Sequence, residues 1–283
     1  MEITSGLVKE LREKTGLGMM DCKRALVENN GNIEESIDYL RKKGALKAES
    51  KGDRTTSEGS IVVNIENNGK LASIIEINCE TDFVARNEDF VTLAKDSAKQ
   101  AAQSSSLEAL LASQDASVKA MIAKLGENIS IKRFQKISTE SNGLVGAYVH
   151  SNNKLGVLVE LSSNADLSEN FEELSSMAKD IAMHITASNP RYVGRSNVDE
   201  AFIAKEKEIM LAQSGDELAK KPDNIKEKII TGRLDKIYVE VCLLEQAFVK
   251  NQDLTVSQLL AEVSKKIGKT VEVKNFIRYS LGE

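Results

Sequence analysis

Sliding this sequence along itself by 84 positions, without a gap, places Gly59, Asn68, Lys70, Leu71, Glu76, Asp82, Glu88, Ala94, Lys95, Asp96 and Ala98 on identical residues between Gly143 and Ala182. A repeat of this length constrains the fold strongly, because both copies must build the same unit. A second match, GENISIKRF from Gly126 against GKTVEVKNF from Gly268, needs an offset of 142, so the second copy carries 58 more residues between its matching blocks. An inserted helical hairpin has that size.

Each copy is read once and checked in the other. Ser60 to Glu66 and Lys70 to Asn78 are rich in β-branched residues and flank Asn67-Asn68-Gly69, a composition suited to a tight hairpin. Leu144 to His150 and Lys154 to Ser162 repeat the pattern. Helical spacing follows over Glu88 to Gln103 and Glu172 to Thr186, and third strands are predicted at Ile129 to Ile137 and Val271 to Tyr279. The sequence therefore predicts an α+β body of two similar ββααβ subdomains, each with helices over a three-stranded antiparallel sheet. The insertion falls at about Asp199 to Lys236, where two amphipathic helices around Pro222 predict a coiled-coil hairpin. Such a hairpin either projects as a self-association arm or folds back on the body, and both readings stand.

Ahead of the repeat, residues 4–42 carry three helical patterns: Leu7 with Leu11, Met20 with Ala25 and Leu26, and Ile33 with Ile37 and Leu40. Gly16, Gly18 and Gly31 mark the breaks. A unit this small buries little surface, which suits a docking module carried by a larger protein. Lys43 to Glu58 has no bulky apolar residue after Leu46 and is read as a solvated linker. The expected division is residues 1–55 for module and linker, 56–140 for the first core subdomain, and 141–283 for the second with its insertion.

Several function classes find little support. Lys and Arg total 38 against 43 for Asp and Glu, a formal charge of -5, which argues against phosphate-tracking nucleic-acid binding. Cys22, Cys79 and Cys242 form no CxxC pair, so neither a zinc site nor a disulfide framework is expected. His150 and His184 have no metal-spaced partner, and each is read as a satisfied surface or core residue. Gly268-Lys269-Thr270 resembles the end of a phosphate loop, but Val263 stands where its first glycine is needed; a helix cap leading into a strand is predicted instead. Gly16-Leu17-Gly18 lacks the third glycine of a dinucleotide fingerprint, Asp21 taking that place. No catalytic residue, metal ligand or cofactor is expected. No apolar run approaches membrane-spanning length and the N-terminus is polar, so a cytoplasmic location without a membrane partner is expected.

Five segments carry a resemblance to a known family. LVKELREKTGLGMMDCKRAL at Leu7 to Leu26, ENNGNIEESIDYLRKKG at Glu28 to Gly44, INCETDFVARN at Ile77 to Asn87, MHITASNPRYV at Met183 to Val193 and the final NFIRYSLGE closely resemble elongation factor Ts. The resemblance covers nearly the whole sequence. It implies a factor that binds elongation factor Tu and promotes release of GDP from it, with a three-helix module, a duplicated core and a coiled-coil hairpin. Family members commonly continue past this closing segment into a further helix that embraces the partner, and the resemblance implies that this contact is missing after Glu283.

The resemblance also implies site residues. Thr81, Asp82, Phe83 and Val84 match the family segment associated with dislodging the partner's Mg²⁺. There Phe83 would act as a wedge between partner side chains, and the Asp82 carboxylate would alter hydrogen bonding around the metal. Against this, Phe83 can simply pack on its own sheet, as Leu167 at its repeat position suggests. His150 matches a second partner contact, and its repeat counterpart is Glu66, so the sheet itself does not require an imidazole there. Arg12, Met19 and Met20 match contacts of the N-terminal module. Adjacent methionines cannot both face a helix core, so one is expected at the surface and the other in the core. A competing reading is a ribosome- or nucleic-acid-associated module without exchange activity, in which the three-helix unit is similar to a ubiquitin-associated (UBA-like) fold. Residues 1–56 hold 11 basic and 10 acidic side chains, which gives that reading no phosphate-binding excess.

Overall fold

The computed structural model describes residues 3–219 and 222–283. Its first helices are α1 (Ser5–Thr15), α2 (Met19–Glu28) and α3 (Ile33–Glu49). Local chemistry sets their ends. The Thr4 hydroxyl accepts from the Leu7 N–H, Gly16 closes α1 at φ 68°, and the Asn32 side chain accepts from the N–H groups of Glu34 and Glu35. Val8, Leu11, Cys22, Ala25, Leu26 and Leu40 form a small buried core, and the Ser36 hydroxyl donates across it to the Ala25 carbonyl at 3.1 Å.

The first copy of the repeat forms β1 (Glu58–Glu66), β2 (Leu71–Cys79), α4 (Asp82–Ala85), α5 (Glu88–Gln103), α6 (Leu107–Leu125) and β3 (Ile129–Ser138). The second forms β4 (Gly143–Val149), β5 (Leu155–Ser163) and α7 (Phe171–Ser188). It continues through α8 (Glu200–Ala219), α9 (Asp223–Val241), β6 (Ala247–Phe248), β7 (Asn251–Thr255), α10 (Val256–Ile267) and β8 (Val271–Ser280). The sheets are antiparallel and ordered β1-β2-β3 and β4-β5-β8. Even the irregularity is duplicated. Glu76 pairs with Arg133 and then Ile77 with Ile131, leaving Lys132 as the extra residue of a bulge; Glu160 pairs with Asn275 and then Leu161 with Val273, leaving Lys274. Each extra lysine reaches the buried glutamate of its own sheet, at 3.5 Å for Lys132 to Glu76 and 2.9 Å for Lys274 to Glu160.

Strand alternation explains the layers. In β2, Ile75, Ile77 and Cys79 face α5 and α6, whereas Ala72 and Ile74 pack with Val145, Leu158 and Ile277 of the second sheet. Both faces of the central strands are therefore covered, and the layers run helix, sheet, sheet, helix. The two copies clasp each other reciprocally. Ile61 N donates to the Asn153 carbonyl at 2.7 Å and Val145 N to the Gly69 carbonyl at 2.8 Å; Thr139 N donates to Lys70 O at 2.8 Å and Leu281 N to Lys154 O at 2.9 Å. The first pair is one contact between the copies seen from its two ends; the second is the same contact inside each copy, from the residue after the third strand to the hairpin turn. Glu76 ties the final strand in as well. Burial alone would raise its carboxyl, but the Gly282 N–H and the Arg133 guanidinium, at 3.1 and 2.7 Å, hold it below the usual carboxylate range.

Two expectations need correction. Lys43 to Glu49 is not linker: α3 continues to Glu49, Ala48 is buried in the helical layer of the first copy, and a Cβ added at Gly44 would lie 3.0 Å from Ala123 Cβ of α6. Small residues four apart make a flat helix face, and close packing there needs no bulky side chain. Beyond α3 the chain is held to the body, with the Asn128 side chain donating to the carbonyls of Gly52 at 3.1 Å and Arg54 at 2.9 Å. The inserted region is also larger than expected. Its helix pair runs to Val241, and the short β6–β7 ribbon that follows, two residues paired with five, had no signal strong enough to read. The turn expected around Pro222 includes Lys220 and Lys221, which lie outside the described residues.

The base of the helix pair is firmly held. The N–H groups of Arg191 and Tyr192 both donate to the Val241 carbonyl. Arg195 bonds Asp235 at 2.8 Å and Glu245 at 2.6 Å while its guanidinium lies 4.5 Å from the Tyr238 ring centroid. Along the helix pair, Met210 and Leu234 are buried, while Ile209, Leu211, Ile225 and Val239 are exposed. His184 is a satisfied core residue: Nδ1 accepts from Val249 N at 3.2 Å, which leaves Nε2–H to donate to Gln246 Oε1 at 3.0 Å. Gly268 caps α10 at φ 69° and leads into β8.

Candidate functional site

Thr81 ends the stretch after β2 in extended geometry and caps α4, its hydroxyl accepting from Val84 N at 3.3 Å. The Glu127 carboxylate, from the loop between α6 and β3, grips Thr81 twice: Oε2 accepts from the Thr81 N–H at 3.0 Å and Oε1 from its hydroxyl at 2.7 Å. Val84 turns inward against the core that holds Ile77, Cys79 and Phe90. Phe83 turns outward and is 83% exposed. Asp82 pairs with Arg86 at 3.1 Å across an exposed turn, a contact worth at most about 0.5 kcal/mol, so its carboxylate is readily redirected.

The surroundings keep this turn in place. The Cys79 thiol donates to the Thr81 carbonyl at 3.1 Å, and burial pushes it up to about 12. Glu80 accepts from Asn128 N at 2.7 Å and pairs with Arg54 at 3.4 Å; that backbone bond and the guanidinium hold its carboxyl below the usual range. Asn87 then caps α5, accepting from Asp89 N at 2.9 Å.

His150 is exposed in the turn from β4 to β5, with Nδ1 3.2 Å from the Tyr148 hydroxyl. Lys154 of the same turn bonds Glu58 at 2.7 Å, and Glu58 is the register partner of Cys79. The His150 turn and Thr81 to Val84 thus lie at the same end of the first sheet. Arg12, Met19 and Met20 form a separate surface, lining with Ile3, Val8 and Lys23 an open groove of about 410 Å³ on the three-helix module. The expectation of one core methionine fails: Met19 is 58% and Met20 64% exposed. Both sit in the first turn of α2, beyond the small core that Leu11 and Cys22 already fill. The module nevertheless borders the first copy. Lys124 passes so close over Gly16 that a Cβ there would lie 2.9 Å from its Cε, and its ammonium pairs with Asp89 at 2.7 Å.

A family model described as elongation factor TS matches residues 80–283. Elongation factor Ts of Nostoc punctiforme is 44% identical over 294 aligned residues, covering 100% of this chain and 93% of that protein. The Clostridium acetobutylicum protein of the same name is 45% identical over 291 residues and that of Clostridioides difficile 43% over 290, each covering 99% of this chain and 93% of the relative. The chain belongs to the elongation factor Ts family. Membership makes it a translation elongation factor.

Within this elongation factor Ts fold, Arg12, Met19, Met20, Phe83 and His150 lie at the surface, Thr81 and Asp82 are half-buried and Val84 is buried, while the groups that support Thr81 had not been singled out from the sequence. Glu127, Arg54 and Asn128 lie outside the INCETDFVARN segment, and only convergence in space joins them to its Glu80 and Thr81. One signal was present: Glu127 falls opposite Lys269 in the second repeat block, a reversal of charge within otherwise matching segments. Among the described residues no group of His, Cys, Asp and Glu is arranged to hold a metal ion, and no helix is long and apolar enough to cross a membrane.

Proposed function

We propose that the protein is a guanine nucleotide exchange factor for elongation factor Tu, acting by binding and without a covalent step of its own. The observation that carries this reading is the outward Phe83 on a turn fixed from both sides, with the Asp82 carboxylate, paired only across an exposed turn with Arg86, beside it. Leaving a Phe ring in water forgoes about 1.5–3 kcal/mol of burial, which docking into a partner recovers. Phe83 wedges between partner side chains while Asp82 competes for the hydrogen bonds and charge that hold the partner's Mg²⁺. Any free energy by which the factor prefers the nucleotide-free partner appears as an equal weakening of GDP binding. The factor therefore needs no nucleotide site, cofactor or nucleic-acid surface of its own.

In this reading residues 1–55 form a UBA-like docking module presenting Arg12, Met19 and Met20; residues 56–140 and 141–283 are the two core subdomains; and His150 supplies a second contact. The exposed Ile209, Leu211, Ile225 and Val239 make the helical hairpin a candidate surface for self-association. The setting is the cytoplasm, where elongation factor Tu works. The deciding experiment is stopped-flow release of labelled GDP from elongation factor Tu with and without the full chain. Acceleration is expected, and an unchanged rate defeats the proposal.

A further inference from the structure

The two copies hold equivalent segments with opposite chemistry. Glu127 and Lys269 occupy the same repeat position, each immediately after a glycine cap, at φ 81° for Gly126 and 69° for Gly268, and each just before the third strand of its sheet. Both reach back to the segment that follows the second strand. Glu127 is an acceptor: it takes the N–H and the hydroxyl of Thr81, leaving the Thr81 oxygen to accept from Val84 N and start α4. Lys269 is a donor: its ammonium binds the Asp166 carbonyl at 2.7 Å and Asn170 Oδ1 at 3.2 Å. There Asp166 caps a tight turn by accepting from Ser168 N at 2.7 Å, and Leu167 is buried among Leu161, Leu174 and Val271. A carboxylate gathers N–H and O–H donors and so favours a capped helical turn, whereas an ammonium engages a carbonyl and leaves the turn folded inward.

The loop around Glu127 is itself anchored, so it can act as a fixed post. The Lys51 ammonium donates to the Gly126 carbonyl, and Asn128 bonds Glu80 on one side and the carbonyls of Gly52 and Arg54 on the other. We infer that Glu127 is a positioning residue for exchange: its grip on Thr81 sets α4 and keeps Phe83 pointing at the partner. The inference rests on the exchange reading above and adds the residue that makes the first copy differ from the second.

The test uses the full chain with Glu127→Ala and Glu127→Gln, read in two ways. Backbone amide hydrogen exchange at Thr81 and Val84 reports the turn without any partner. Stopped-flow GDP release from elongation factor Tu over a range of factor concentrations separates the maximal rate from the half-saturating concentration. Glu127→Ala is expected to speed amide exchange at Thr81 and Val84 at least tenfold, with Ile75 and Ile77 still protected. It should lower the maximal release rate at least tenfold with a smaller change in half-saturation. Glu127→Gln keeps an acceptor oxygen for Thr81 and should recover at least a third of the lost rate. Should Glu127→Ala unfold the sheet, Glu127→Gln and Thr81→Val carry the same comparison. A parental maximal rate, or a lost rate with Thr81 and Val84 still protected, overturns the inference. If the parental chain itself fails to accelerate release, the exchange reading has failed, and the amide measurement still reports whether Glu127 sets the turn.

Discussion

Phe83 and Leu167 occupy the same place in the two copies of the repeat, yet Phe83 is 83% exposed and Leu167 only 1%. Phe83→Ala is therefore expected to change the stability of the isolated chain by no more than about 0.5–1 kcal/mol, as for a surface site. Leu167→Ala should cost about 2–5 kcal/mol through lost burial and the cavity left behind. GDP release should show the reverse order, slowed strongly by Phe83→Ala and little by Leu167→Ala at temperatures where both remain folded. Denaturant midpoints and stopped-flow release on the same samples check both halves; an unfolded Phe83→Ala chain would sink the wedge reading.

The docking of α3 on α6 makes a second expectation. A side chain at Gly44 meets Ala123, so Gly44→Val should cost about 1–3 kcal/mol by overpacking and loosen the module. Limited proteolysis between residues 50 and 56 should then become faster. Removing residues 1–50 also strips Ala48 from its buried place, so the remaining body should still melt cooperatively but at a lower temperature. Parental melting of the truncated chain would show that α3 contributes nothing to the body.

Deleting residues 199–236 with a short closing linker should leave both sheets folded. The base of the inserted pair is closed by the bonds from Arg191 and Tyr192 to Val241, which the deletion spares. Loss of the Asp235 bond to Arg195 and of Phe202 under the Arg191 guanidinium is expected to cost only about 1–2 kcal/mol. A molten or insoluble product would show that the insertion is part of the core.

Stability should fall on the alkaline side. Burial pushes the Cys79 thiol from 9.0 to about 12, Cys242 from 9.0 to about 11 and the Tyr279 phenol from 10.0 to about 12. In the unfolded chain the thiols lose their protons from about pH 9. Between there and the folded values the native state binds more protons than the unfolded state, so the free energy of unfolding decreases as pH rises. The slope approaches about 1.4 kcal/mol per pH unit for each such group. Urea midpoints should be flat from pH 7 to 8.5 and decline above 9, and Cys79→Ala should make the decline shallower. A midpoint independent of pH up to 10.5 would contradict the buried thiols.

Much of this architecture is legible in the sequence because it is written twice. The hairpin around Asn67-Asn68-Gly69, whose residues take φ of 52°, 52° and 77°, needs left-handed geometry that local composition announces. Glu88–Gln103 carries its own caps and periodicity, and the third strands fall within a residue of where the spacing put them. The sequence alone therefore determined the strands of the two three-stranded sheets, the three N-terminal helices and those near residues 88–103 and 172–186, the duplication and the family to which the motifs point; it did not place α6, α10 or the β6–β7 ribbon. It did not determine which small residues are buried, as Gly44 and Ala48 show, because composition records size and polarity but not what lies opposite. Nor did it determine which way Phe83 or Met19 and Met20 face. Orientation depends on whether a nearby core is already filled and on which distant group grips the turn. For Phe83 that group is Glu127, 46 residues from Thr81 along the chain and brought into hydrogen-bond contact with it by the tertiary fold.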